Sequence, residues 1–138
     1  MNVSPSTARI AVKASFLTKE LVAERLRELG SGLLKEPWRS KWSVDKPSTG
    51  YCYLVSEALF HYLEERTFPY VINLGPSGTH WFLNSKATGL IDFTAEQFAF
   101  PVPYGWARRA TFYKGTYPTK RGLISERGYR MAACLRLV

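Results

Sequence analysis

The sequence predicts an α+β fold in which a cysteine-bearing helix packs on an antiparallel β-sheet meander. Three observations carry that expectation. Thr49-Gly50-Tyr51-Cys52 is a turn, and it opens an apolar run through Leu63 that has the spacing of an amphipathic helix. Tyr70–Leu74, Thr79–Asn84 and Leu90–Phe93 are short runs of strand composition. Gly75-Pro76-Ser77-Gly78 and Ser85-Lys86-Ala87-Thr88-Gly89 separate them with turn residues, which makes the three a meander.

The 138 residues fit one domain spanning 1–138, and aromatic residues at 14% support a packed globule. There is no internal repeat, low-complexity tract or linker to divide the chain. Met1–Thr7 is polar and contains Pro5, and no later run is long enough to span a bilayer, so neither a leader nor a membrane segment is expected. Two cysteines in such a chain imply a reducing, cytoplasmic setting with Cys52 and Cys134 as free thiols. Nineteen Lys+Arg against eleven Asp+Glu give a net charge of +8, which suits an anionic partner such as nucleic acid or an acidic protein. The two histidines and two cysteines lack ligand spacing, so no metal or other cofactor is expected.

In chain order, Ile10, Val12, Ala14 and Phe16 alternate with other residues and predict a first strand. Thr18 caps a helix whose apolar stripe is Leu21, Val22, Leu26, Leu29 and Leu33. Pro37 to Ser48 reads as a long loop; Trp38 and Trp42 either pack over a core edge or wall a substrate groove. The next helix places Cys52, Val55, Ser56, Leu59 and Leu63 on one face. His61 lies nine residues beyond Cys52, on the opposite face and about 13 Å along the axis, so it cannot serve that thiol. After the meander, Thr94–Phe98 forms a helical turn capped by Thr94, and Phe100–Gly105 is a proline-rich loop. Ala107–Lys114 reads as a strand, Thr119 as the cap of a last helix weakened by Gly122 and Gly128, and Ala133–Val138 as either helix or strand.

The order Cys52, His80, Asp92 supplies the parts of a nucleophilic site. A helix start offers unpaired N–H groups and the positive end of the macrodipole, both favourable to a thiolate. An odd-numbered hairpin loop keeps His80 and Asp92 on one sheet face, within imidazole–carboxylate reach. A thiolate, a base that also protonates the leaving group, and an acceptor that fixes the base's tautomer together suffice for acyl transfer through a thioester. The ordinary alternative for each residue is a buried thiol, a strand histidine and a turn-proximal acid.

The Gly-Tyr-Cys turn opening a helix, then His80 on one strand and Asp92-Phe93-Thr94 on the next, resembles the papain-like superfamily. Within it the resemblance is to the transglutaminase-like and arylamine N-acetyltransferase-like branch, over about Gly50 to Phe98; Gly50–Tyr62, His80-Trp81-Phe82 and Asp92–Phe98 are also similar to small bacterial and phage proteins. The resemblance implies a papain-like fold with Cys52 as nucleophile, His80 as base and Asp92 as orienter. It further implies a cysteine-dependent hydrolase or acyltransferase acting on an amide, isopeptide or ester bond of a peptide, protein or small acyl substrate. Lys46 and Pro47 stand where papain-like enzymes carry an oxyanion glutamine, so the transglutaminase-like tryptophan N–H makes Trp42 or Trp38 the candidate. Gln97 is another, and Tyr53 stands beside Cys52 as a groove residue.

A second reading is a non-catalytic basic module that binds nucleic acid or an acidic protein. Arg108, Arg109, Lys120 and Arg121 are its anion-binding candidates, with Lys114 between them and Trp106, Phe112, Tyr113 and Tyr117 interleaved as stacking surfaces.

Overall fold

The computed structural model describes residues 13–138. The expected first strand lies mostly outside these residues, and its end, Ala14–Phe16, is a single 3₁₀ turn. Ala14 N–H donates to the Glu65 carboxylate at 2.9 Å, a side-chain acceptor in place of a strand partner.

Helix α1 (Lys19–Leu29) begins where Thr18 Oγ1 accepts from Leu21 N at 3.0 Å, and it buries Val22 and Leu26. It stops at Gly30, whose φ of 72° is open to glycine. The expected loop from Pro37 contains a one-turn helix, α2 (Trp38–Lys41). Helix α3 (Cys52–Tyr62) follows, then strand β1 (Thr67–Asn73), which starts three residues earlier than its apolar run suggests. Strands β2 (Thr79–Ser85) and β3 (Gly89–Ile91) complete the meander. Two residues, Arg108–Arg109, form β4; the longer strand expected over Ala107–Lys114 does not form. The four-stranded antiparallel sheet has the order β3-β2-β1-β4. Strands β5 (Tyr117–Thr119) and β6 (Gly122–Ile124) make a separate hairpin, and α4 (Glu126–Cys134) ends the fold.

The fold is therefore mixed α+β, with helices against an antiparallel sheet. Helix α3 lies at its centre. Amphipathic spacing predicts one buried face, but nine of its eleven residues are buried, including Leu54, Glu57, Ala58, His61 and Tyr62 outside that face. The reason is α4, which covers the side of α3 turned away from the sheet through Gly128, Met131, Ala132 and Leu135. Leu83 and Ile91, partners across β2 and β3, join the same cluster as Leu54, Val55 and Leu59.

Helix α4 also settles the C-terminal alternatives. Its cap is Ser125, whose Oγ accepts from Gly128 N at 2.9 Å, and Thr119 instead belongs to the hairpin. Gly128 is a packing requirement: a Cβ there would collide with the Glu57 carboxylate. Fully buried Glu57 accepts from Ser125 N at 3.1 Å and Ser125 Oγ at 2.6 Å. Burial raises the Glu57 pKa, against the two Ser125 hydrogen bonds that lower it. Among the described residues no helix is long and apolar enough to cross a membrane.

Candidate active site

Cys52 is the first residue of α3, and the turn before it is held from both sides. Fully buried Tyr51 donates its hydroxyl to Gly30 O at 2.6 Å and accepts from Leu33 N at 3.4 Å, tying the helix start to the chain after α1. Gly50 has a φ of 79°, and its N–H donates to Gln97 Oε1 at 3.2 Å. The first turn-to-turn bond of the helix runs from Val55 N to Tyr51 O at 2.9 Å, which leaves the N–H groups of Cys52, Tyr53 and Leu54 ahead of the ladder.

His80 is placed by register. Leu83 pairs with Ile91 and Asn84 with Leu90 across a three-residue connection, so continuing the ladder sets Phe82 opposite Asp92 and His80 diagonal to it. Asp92 lies one residue past β3 and closes on the ring, His80 Nε2 to Asp92 Oδ2 at 2.7 Å, with the two side chains 0% and 2% exposed. The carboxylate is saturated by donors: Tyr104 hydroxyl reaches Oδ2 at 2.6 Å, while Thr94 N at 3.1 Å and Thr94 Oγ1 at 3.4 Å reach Oδ1. Phe98 meets the imidazole edge to face at 5.0 Å and excludes water from it.

With Nε2 committed to Asp92, only Nδ1 is left to face the thiol. Nδ1 is buried and has no partner of good geometry, and Cys52, 7% exposed, points its thiol at Thr79 O at 3.7 Å. Burial opposes a charged ring, but hydrogen bonding and charge from Asp92, reinforced by Cys52, reverse that and push the His80 pKa up to about 9. Cys134, the other free cysteine, donates to Arg25 O at 3.4 Å, and burial, then Glu28, raise its pKa.

Of the expected groove residues, Trp38 packs against the turns on either side of Cys52. Its indole runs from Gly50, two residues before the thiol, to Gly78, beside the Thr79 carbonyl that the thiol faces. A Cβ at Gly50 would lie 2.7 Å from Trp38 Cβ, and one at Gly78 3.0 Å from Trp38 Cζ2. Trp42 Nε1 donates to Pro47 O at 2.8 Å, which removes it as an oxyanion donor in this arrangement. Gln97 is likewise engaged at both ends, with Nε2 on Thr94 O at 2.9 Å; it braces the Gly50 turn. Tyr53 belongs to an aromatic cluster with Trp81, Phe112 and Tyr113, its hydroxyl accepting from Tyr113 N at 2.7 Å.

His61 stands at the other end of α3. Its Nδ1 donates to Thr119 Oγ1 at 2.5 Å, because that hydroxyl gives its own hydrogen to Gly122 O. Burial lowers its pKa to about 4. Arg109 and Arg121 line one cavity, whereas Arg108 and Lys120 lie outside it, so the structure divides the four basic candidates.

Tyr104 is the site residue that sequence reasoning passed over. It sits in a proline-rich loop, and only a phenol at the tip of an otherwise apolar stretch hints at a buried acceptor nearby. Thr94 was legible as a cap, but its hydroxyl serves Asp92 and not the following 3₁₀ turn. Compared with protein-family models, curated proteins and solved structures, the chain matches none.

Proposed function

We propose that this protein is a cysteine-dependent acyl hydrolase or acyltransferase of the papain-like, transglutaminase-like kind. The observation that carries the reading is the fully buried His80, anchored through Nε2 to Asp92 at 2.7 Å with Nδ1 left for a thiol at a helix start. A ring whose pKa is pushed to about 9 holds its proton at neutral pH, so transfer from Cys52 to Nδ1 yields a thiolate–imidazolium pair.

The thiolate attacks the acyl carbonyl. Its oxyanion meets the Cys52 N–H at the positive end of α3. His80 then gives the Nδ1 proton to the leaving amine or alkoxide, and the C–N or C–O bond breaks to leave a Cys52 thioester. Water or an acceptor amine, deprotonated by His80, attacks that thioester and expels the thiolate. Asp92 stays an acceptor throughout, holding the ring with the help of Tyr104 and Thr94. Trp38, packed against Gly50 and Gly78, is the side chain placed to guide an acyl chain towards Sγ.

Reaction with 4-nitrophenyl acetate tests this directly. The expected result is a burst of nitrophenolate with the acetyl group located on Cys52 by mass spectrometry, and no acetyl on Cys134. His80→Gln should remove the burst while circular dichroism shows an intact fold. Adding a primary amine separates the outcomes: an acetylated amine marks transfer, and turnover without it marks hydrolysis. An unmodified Cys52 in the folded protein would remove the catalytic reading.

A further inference from the structure

At the far end of α3 from Cys52, a cavity of about 420 Å³ opens between the start of β1 and the segment Ala110–Gly115. Arg66, Arg109, Lys114 and Arg121 line it, and no acidic residue does. Among the described residues none of these four has a carboxylate within 4 Å, and residues 1–12 contain no acid. Phe60, Phe68 and Phe112 form its apolar walls. The guanidinium of Arg109 lies 4.5 Å from the Phe68 ring and 5.8 Å from Tyr70, and that of Arg66 lies 5.6 Å from Phe68.

A second cavity of about 390 Å³ adjoins the first across Phe68 and Arg109, which line both, and adds Tyr70 and Lys86. Cations that neutralise no internal charge, set over aromatic rings in two adjoining hollows, match a ligand that repeats an anion and a planar ring. Phosphates would meet the guanidiniums, and unstacked bases would cover the rings. A duplex keeps its bases paired inside and would leave the rings bare. An acidic peptide would satisfy the arginines and leave the same apolar walls exposed.

We propose that these two cavities form a binding site for consecutive nucleotides of a single-stranded nucleic acid. The site is independent of the chemistry at Cys52. Arg109 occupies its centre, Arg66, Lys114 and Arg121 hold phosphates on one side, and Lys86 on the other. Arg108 and Lys120 lie outside both cavities.

Fluorescence anisotropy with a labelled thymidine dodecamer and the full chain tests the site. Binding should exceed that of the duplex of equal length, and polyglutamate should compete poorly. An abasic dodecamer, with the same phosphates but no bases, should bind at least roughly fivefold more weakly. The double variant Arg66→Ala with Arg109→Ala should lose roughly tenfold in affinity and lower the log–log salt slope by about 1.4, corresponding to two phosphate contacts at ~0.7 each. Arg108→Ala with Lys120→Ala removes the same charge and should change affinity by less than about twofold. Equal losses in the two double variants, equal binding of the abasic strand, or equal competition by polyglutamate would each overturn the site. Alkylation of Cys52 should be the same in all these variants.

Discussion

The two histidines, His61 in the last turn of α3 and His80 on β2 near the first, show what a neighbour does to a buried imidazole. His61 lies in the last turn of α3, where the macrodipole favours a cation by only ~0.3–1 kcal/mol, and its partner is a neutral hydroxyl. Desolvation dominates and the pKa falls to about 4. His80 is buried as deeply, but its partner is a carboxylate saturated by three other donors, and its pKa rises to about 9. Burial selects the neutral ring. An anion inside the same burial selects the cation, and more strongly than it would in water.

The largest break in that contrast is Asp92→Asn, which makes the environment of His80 resemble that of His61. The His80 pKa should drop below its ordinary value of 6.5, as NMR titration of the ring would show. Alkylation of Cys52 by iodoacetamide at neutral pH should slow by ~100-fold or more, the scale of a lost general base. An unchanged rate would mean that Asp92 does not govern the thiol.

The next effect is on stability, with opposite signs at the two ends. The raised His80 pKa contributes stability in full below pH 6.5 and loses it as pH rises through about 9. The lowered His61 pKa contributes stability above 6.5 that is lost as pH falls towards 4, on the order of 3 kcal/mol in total. Urea unfolding from pH 7 to 4 should show that loss in the wild type and lack it in His61→Gln.

A smaller effect is expected at the turn before Cys52. Gly50→Ala meets both a φ of 79° and the Trp38 side chain and should cost about 2 kcal/mol in thermal unfolding. Because the nearest clashing atom is the Trp38 Cβ, Trp38→Gly in the same chain should recover part of that cost, and non-additivity in the double variant would show the contact.

The smallest pair deletes one hydroxyl at each end. Tyr104→Phe removes a donor to Asp92, and Thr119→Val removes the acceptor of His61; each should cost about 1 kcal/mol. Only Tyr104→Phe should also slow Cys52 alkylation, by a few-fold. Equal slowing in both would mean that the two ends are coupled.

Local signals made the placement of Cys52, His80 and Asp92 legible. A turn opening a helix placed Cys52, period-two alternation put His80 on a strand face, and an odd loop put Asp92 on the same face, opposite or diagonal; the register of β2 and β3 makes it diagonal. Long-range packing hid the rest. Gly128 reads as a helix defect until Glu57, 71 residues earlier, is seen against it. Thr119 reads as a cap, but the hairpin needs its hydroxyl between His61 and Gly122. Ala107–Lys114 has strand composition, but β1 offers it pairing for only two residues, so Phe112 and Tyr113 pack on Tyr53 instead. The basic residues could be counted in the sequence but not sorted, because only folding divides those that line a cavity from those that point into solvent.

The bond between Glu57 and Ser125 bears on the order in which the molecule can become competent. The catalytic candidates all lie between residues 52 and 92, but the helix carrying Cys52 also carries a carboxylate whose donors arrive only with residue 125. Until then, seating α3 would bury an acid with no partner, at a penalty of ~1–3 kcal/mol or more. A nascent chain is therefore expected to keep α3 loose, and Cys52 away from His80, until residue 125 has emerged. A chain ending at Ile124, which lacks both donors to Glu57, should show rapid protease cleavage within α3 and no selective alkylation of Cys52. The order of synthesis then bears on the site: Cys52 is made early, and the helix that carries it is seated last.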